Sequence, residues 1–164
     1  MKYCFFVLLL FAASSIWAQK TANIAPHKLP QKVQKAFEKK YPQAQVKQAI
    51  WQEVDTSYQG QFWDEANGIY VLAYFNEVGK WLKSEMEVEP SAFTMAIKRF
   101  LEKEYDDRTI SYVLATQHPL GNYTYWIVLE NETEILSLEL DAYAKILYQE
   151  VEQIQIKAGE GLRP

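Results

Sequence analysis

The sequence predicts an α+β fold in two similar halves, each a single helix followed by four strands. Three observations lead there. Apolar residues recur first at helical spacing and then at alternate positions, and they do so twice along the chain. The same order of elements returns at an offset of 64 to 65 residues. Tight-turn signals separate the strand-like segments.

Leu29, Val33, Ala36, Phe37 and Tyr41 fall on one side of a helix, with Lys32, Lys35, Lys39 and Lys40 mostly off that stripe. Pro30 suits the first turn, and Pro42 ends the helix because proline cannot continue the hydrogen-bond ladder. The period then changes to two over residues 46–54, 57–64, 68–75 and 80–87. Asn67-Gly68 marks a tight turn, and Asn76-Glu77-Val78-Gly79 a short hairpin loop in which Gly79 can take positive φ. Pro90 opens a second helix with Phe93, Ala96, Ile97, Phe100, Leu101 and Tyr105 on its apolar side. Strand-like segments follow at 109–117, 122–130, 133–140 and 144–151, with Gly121-Asn122, Asn131-Glu132 and Asp141-Ala142 in the loops.

Laid over each other, Glu38-Lys39-Lys40-Tyr41 meets Glu102-Lys103-Glu104-Tyr105, and Gly79-Lys80-Trp81-Leu82 meets Ala144-Lys145-Ile146-Leu147. Glu85 meets Glu150. The alternative is two unrelated α+β stretches.

Residues 1–18 read as a cleavable secretory signal. Lys2 gives a positive start, Cys4 to Ala13 is wholly apolar, and Ala18 is a small residue at a cleavage point; a cut after Ser15 is the alternative. The apolar run is about half of the roughly twenty residues that a bilayer-spanning helix needs. Cys4, the only cysteine, precedes the apolar core, so neither a lipid anchor nor a disulfide is expected. With 49% apolar residues, the chain has the means to fold by packing alone. The expected location is periplasmic or secreted, with no membrane insertion after cleavage. Removing Lys2 with the signal leaves 16 basic against 21 acidic residues, a net charge of −5, which argues against a nucleic-acid partner. Residues 19–28 are polar and unpatterned and read as a flexible leader; residues 152–164 lose the pattern and read as a frayed tail.

No catalytic apparatus or cofactor is expected. His27 and His118 lack companions at metal-ligand spacing. Ser91 lies in no nucleophile elbow. The carboxylate pairs Asp64-Glu65 and Asp106-Asp107 are adjacent residues, which on a strand point to opposite faces. No glycine-rich loop opens a helix to cradle phosphate. Asn122-Tyr123-Thr124 and Asn131-Glu132-Thr133 match the glycosylation acceptor pattern, which matters only in a eukaryotic secretory route.

The pattern Leu29-Pro30-x-x-Val33-x-x-Ala36-Phe37-x-x-x-Tyr41-Pro42, followed by Trp51, resembles the PepSY-like family, commonly labelled β-lactamase-inhibitor-like. So does the hairpin Tyr74-Phe75-Asn76-Glu77-Val78-Gly79-Lys80-Trp81-Leu82. The second half departs from it: Asp106-Asp107 stands where a proline is usual, and Ala144 replaces the turn glycine. The resemblance implies a tandem repeat over 29–88 and 89–151, each unit one helix laid on a four-stranded antiparallel sheet, and an exported, non-enzymatic binding or inhibitory module.

In that register Ile69, Val71, Ala73 and Phe75 face the helix, leaving Tyr70, Leu72 and Tyr74 on the open side, with Trp63 beside them. In the second half Leu136, Leu138 and Leu140 turn inward and Ile135, Ser137 and Glu139 outward. Three half-exposed aromatics offer about 225–375 Å², against about 300–600 Å² for the largest apolar patch of a typical monomer. Trp63, Tyr70, Leu72 and Tyr74 are therefore the candidate site for an envelope protein or peptide. The alternatives are that the two halves pack these faces together, or that the protein is structural or holds a small ligand or glycan by stacking.

Overall fold

Helix and strand positions follow the apolar pattern of the chain. The computed structural model describes residues 21–154; the expected signal at 1–18 and most of the expected tail lie outside the described residues. Helix α1 (Gln31–Lys40) starts after Pro30 and buries Val33 and Phe37, four residues apart on one side. Helix α2 (Met95–Glu104) buries Ile97 and Leu101, and its N-cap Thr94 accepts a hydrogen bond from the Ile97 amide at 3.3 Å. Pro90 does not open this helix: Pro90–Ala92 is a separate 3-10 turn.

The strands are β1 (Thr21–Ile24), β2 (Ile50–Val54), β3 (Ser57–Asp64), β4 (Ile69–Asn76), β5 (Trp81–Glu87), β6 (Thr109–Gln117), β7 (Tyr123–Glu130), β8 (Glu134–Asp141) and β9 (Ile146–Gln153). They form one nine-stranded antiparallel sheet whose spatial order is the chain order.

This corrects the expected architecture of two four-stranded units in tandem. Strand β5 pairs with β6 from Ser84↔Gln117 to Glu87↔Leu114, so the two stretches share a single sheet. The physical reason is that a free sheet edge leaves a row of backbone donors and acceptors unpaired, and each stretch supplies the edge the other lacks. The stretches therefore meet edge to edge, not face to face. The leader also differs from expectation: Thr21–Ile24 extends the sheet beside β2, and Pro26–Lys28 is a 3-10 turn. Residues 46–49 are not strand, although Val46 and Ala49 are buried and the Val46 carbonyl accepts a hydrogen bond from Trp51 Nε1 at 3.0 Å. Strand β9 continues to Gln153, past the expected start of the tail.

Two buried clusters lie under the helices. Beneath α1, the Phe37 ring meets Trp51 and Phe62, each 5.1 Å between centroids, and Phe75 at 6.2 Å. Gly60 lets the Trp51 indole lie across β3, since a Cβ there would come within 2.8 Å of it. Beneath α2 lie Val113, Ala115, Ile127, Leu129, Leu136, Leu138 and Leu140. Both helices cover the same side of the sheet. Val71, under α1, pairs with Met86; Met86 pairs with Ala115, Ala115 with Tyr125 and Tyr125 with Leu140, all on the α2 core. Paired residues share a face, so the side under the helices is continuous from β4 to β8.

The β4–β5 and β8–β9 hairpins are built alike. The Gly79 amide donates to the Asn76 carbonyl at 2.9 Å, and the Ala144 amide to the Asp141 carbonyl at 3.0 Å. Both residues are left-handed, Gly79 at φ 82° and Ala144 at φ 66°. For Gly79 the glycine is obligatory, because a Cβ would sit 2.5 Å from the Lys32 carbonyl oxygen. Ala144 holds the same backbone conformation against the Cβ strain that glycine escapes.

Two predictions follow from this packing. Phe37→Ala will destabilise the protein by about 3–5 kcal/mol in one cooperative transition, because β5–β6 pairing couples both clusters, whereas exposed Lys39→Ala will change stability by less than about 0.5 kcal/mol. Two separate transitions in calorimetry, or a Phe37→Ala protein as stable as the parent, would contradict this packing. Ala144→Gly will stabilise by up to about 1 kcal/mol, since release of the left-handed strain exceeds the added chain entropy; denaturant melts would register the gain.

Candidate functional site

Among the described residues, no helix covers the other side of the sheet, to which alternation sends every second strand residue. The register carries this open face across the joint: Trp63 pairs with Tyr70; Leu72 with Glu85, Glu85 with Thr116 and Thr116 with Thr124. One row over, Glu87 pairs with Leu114, Leu114 with Trp126, Trp126 with Glu139 and Glu139 with Tyr148. From β3 to β9, six strand spacings of about 4.8 Å give a width of about 29 Å.

The expected site residues all lie here, but not in equal states. Trp63 and Tyr70 are 48% and 61% exposed and meet edge to face, 4.9 Å between centroids. Leu72 is half-buried beside them. Tyr74 is committed to the protein itself. Its hydroxyl accepts from Gln59 Nε2 at 2.9 Å and donates to Glu85 Oε2 at 2.7 Å, while Lys83 Nζ sits 4.7 Å over its ring and 2.5 Å from Glu85 Oε1. Burial first, and then the Glu85 carboxylate, push its phenol well above the usual tyrosine range. Tyr74 thus organises the centre of the face instead of offering a free surface.

The sequence reading missed a second aromatic cluster. It took the open side of the second half from one strand, β8, where Ile135, Ser137 and Glu139 are mostly polar. The neighbouring strands contribute Tyr112, Leu114, Trp126 and Tyr148. Trp126 and Tyr148 flank Glu139 and lean together over it, their rings stacked 5.5 Å apart at 22°. Alternation on β7 held the signal, because Trp126 lies between the inward residues Tyr125 and Ile127. Tyr112 faces Glu87 and Glu85 across the β5–β6 joint; burial first and then these carboxylates raise its phenol. Between β5 and β8 the face dips into a shallow hollow of about 220 Å³, with Lys83, Glu85, Leu114, His118, Trp126 and Glu139 on its rim.

Other chemistry-bearing residues have local partners. His118 Nε2 lies 3.1 Å from the Thr124 hydroxyl. Asp64 accepts from the Ala66 amide and Asn67 Nδ2 and shapes the β3–β4 turn. Asn131 accepts from the amides of Thr133 and Glu134 in the same way. A larger hollow, about 710 Å³, lies off the open face, between α1 and the loop at 44–47, with His27 and Glu38 on its walls. Among the described residues no group of three or more His, Cys, Asp or Glu could hold a metal ion. Among them, too, no helix is long and apolar enough to cross a membrane.

No protein-family model and no curated protein matches the sequence. Solved structures do. A DUF2874 family protein from Bacteroides ovatus is 21% identical with a TM-score of 0.64, over 74% of this chain and 86% of its own. A BLIP-like protein from Bacteroides fragilis is 19% identical with a TM-score of 0.62, over 76% and 86%. A protein of Bacteroides eggerthii, described as a candidate periplasmic protein, is 20% identical with a TM-score of 0.63, over 74% and 88%. The fold is therefore BLIP-like: one antiparallel sheet with helices on one side. The PepSY-like name, drawn from residues of the first half, is not among these likenesses.

Tyr74 supplies a pH prediction. A phenol raised above its unfolded value stabilises the fold below the unfolded pKa of about 10, and that stabilisation is lost as pH rises through the folded value. Tyr74→Phe should therefore lower stability at neutral pH and flatten the loss on the alkaline side. Melting curves of parent and variant from neutral to strongly alkaline pH would test this, and parallel curves would contradict it.

Proposed function

We propose that the chain is an exported, non-catalytic binding protein whose open sheet face recognises a protein or peptide in the bacterial envelope. One observation carries the reading: a face that no helix covers among the described residues, continuous across the β5–β6 joint, with aromatic pairs at both ends, exposed Trp63/Tyr70 and half-buried Trp126 stacked on exposed Tyr148. Aromatic side chains give large contact area at low entropic cost and are enriched where proteins bind one another. A wide, shallow face suits a macromolecule. Its hollow of about 220 Å³ is smaller than the roughly 300–1,000 Å³ of small-molecule pockets, which counts against a small ligand on this face. The order of charge, apolar run and small residue at 1–18 supports export, as does the description of the eggerthii protein.

The test is retention of envelope components from the native host by immobilised protein. Trp63→Ala/Tyr70→Ala and Trp126→Ala should lose what the parent retains, while Lys39→Ala on exposed α1 should keep it. Because Trp63 and Tyr70 are substantially exposed, the double variant should melt within about 1 kcal/mol of the parent. Equal retention by parent and face variants would rule the face out.

A further inference from the structure

We propose that the partner presents a lysine or arginine side chain to the open face, seated against Glu139 and the Trp126/Tyr148 pair; this rests on the reading of that face as the binding surface. Charge on the face is one-sided. Strands β5, β8 and β9 carry Glu85, Glu87, Glu139, Glu150 and Glu152 there against Lys83 alone. Strands β3 and β4 present only uncharged side chains, Gln59, Gln61 and Trp63, and Tyr70, Leu72 and Tyr74.

The charged groups also differ in what they already hold. Lys83 is bound to Glu85, and Tyr148 donates its hydroxyl to Glu150 at 2.6 Å. Glu139, half-buried on the rim of the hollow, has no hydrogen-bond or ion-pair partner among the described residues. It lies in register between Trp126 and Tyr148, whose rings stack on each other. A carboxylate beside such an aromatic pair offers what a guanidinium or ammonium group needs: a counter-charge, and an outer ring face as a π surface for its apolar stem. An arginine fits best, because its planar head can lie on the indole while donating to both carboxylate oxygens. An isolated amine would use only this corner. A protein segment also reaches the uncharged Trp63/Tyr70 patch, three strand spacings or about 14 Å from β7 to β4. The occupant is thus a basic segment with an apolar flank.

The probe is a phage library of random disulfide-closed loops, selected on the parent protein and sequenced. Arginine and lysine should be enriched among retained loops. A synthetic copy of a retained loop should bind about tenfold or more weakly to the isosteric variant Glu139→Gln, less tightly to Trp126→Leu, and less tightly as salt rises. Glu139→Gln preserves shape, so it decides the matter even if Trp126→Leu fails to fold. Neutral or acidic loops that ignore Glu139→Gln but are lost from Trp63→Ala/Tyr70→Ala would overturn the cationic seat while leaving the face as the binding surface. Loops that ignore every face variant, or no retained loops, would overturn both.

Discussion

The structure depends on the joint between β5 and β6, which Ser84 anchors at one end. Ser84 is wholly buried on the helix side of β5 and pairs with Gln117 of β6. Its hydroxyl is hydrogen-bonded to the Tyr41 hydroxyl and accepts from Trp81 Nε1 at 2.8 Å. Tyr41 and Lys40 close α1, and Lys40 lies 3.7 Å over the Trp81 ring while donating to Gln117 Oε1 at 3.4 Å. The last turn of α1, the start of β5 and the end of β6 are thus tied at one polar point inside an apolar layer. Burial, the largest influence on both, raises the Tyr41 phenol and lowers the Lys40 ammonium. A buried hydroxyl stripped of its partners costs about 1–3 kcal/mol, so the knot favours this seam over other edge pairings.

From that seam the open face follows. With both helices on one side, alternation sends every second residue of nine strands away from the cores. No further element covers them among the described residues. The face is also wired internally, since the Gln59–Tyr74–Glu85–Lys83 chain runs across β3, β4 and β5 and stops at the joint. An acidic, hydrogen-bonded centre therefore separates two aromatic ends. Rigid positioning of this kind limits the ordering cost when a partner binds.

Local pattern made much of this legible in the sequence. The inward sets Val33/Phe37 and Ile97/Leu101 follow from period, and the turn at Gly79 from its loop residues; the inward Val71/Ala73/Phe75 and outward Tyr70 follow from the register that the resemblance implies. Even the oddity at Ala144 could be read as a turn glycine replaced. The sheet's continuity was not legible, because pairing between β5 and β6 spans α2 and leaves no periodic trace in either strand. Strand β1 was hidden for a related reason: four residues at an edge, with polar Thr21 and Asn23, carry too little alternation to stand out from a leader. Trp126 and Tyr148 were missed because their meeting depends on two strands leaning over a third.

The two sides of the sheet answer to different demands. The helix side must be apolar and well packed, and volume-conserving exchanges satisfy it. Outside the Gln59–Tyr74–Glu85–Lys83 chain, the exposed residues of the open side contribute less to folding than the cores, so they can change while the fold stays. Three Bacteroides proteins share the fold at TM-scores above 0.6 with identities near 20%. For the same reason a shared fold does not transfer a partner. On the proposed reading, recognition lies in the outward half, in Trp63, Tyr70, Trp126, Glu139 and Tyr148, where the Glu139 carboxylate would distinguish a charged ligand from a merely apolar one.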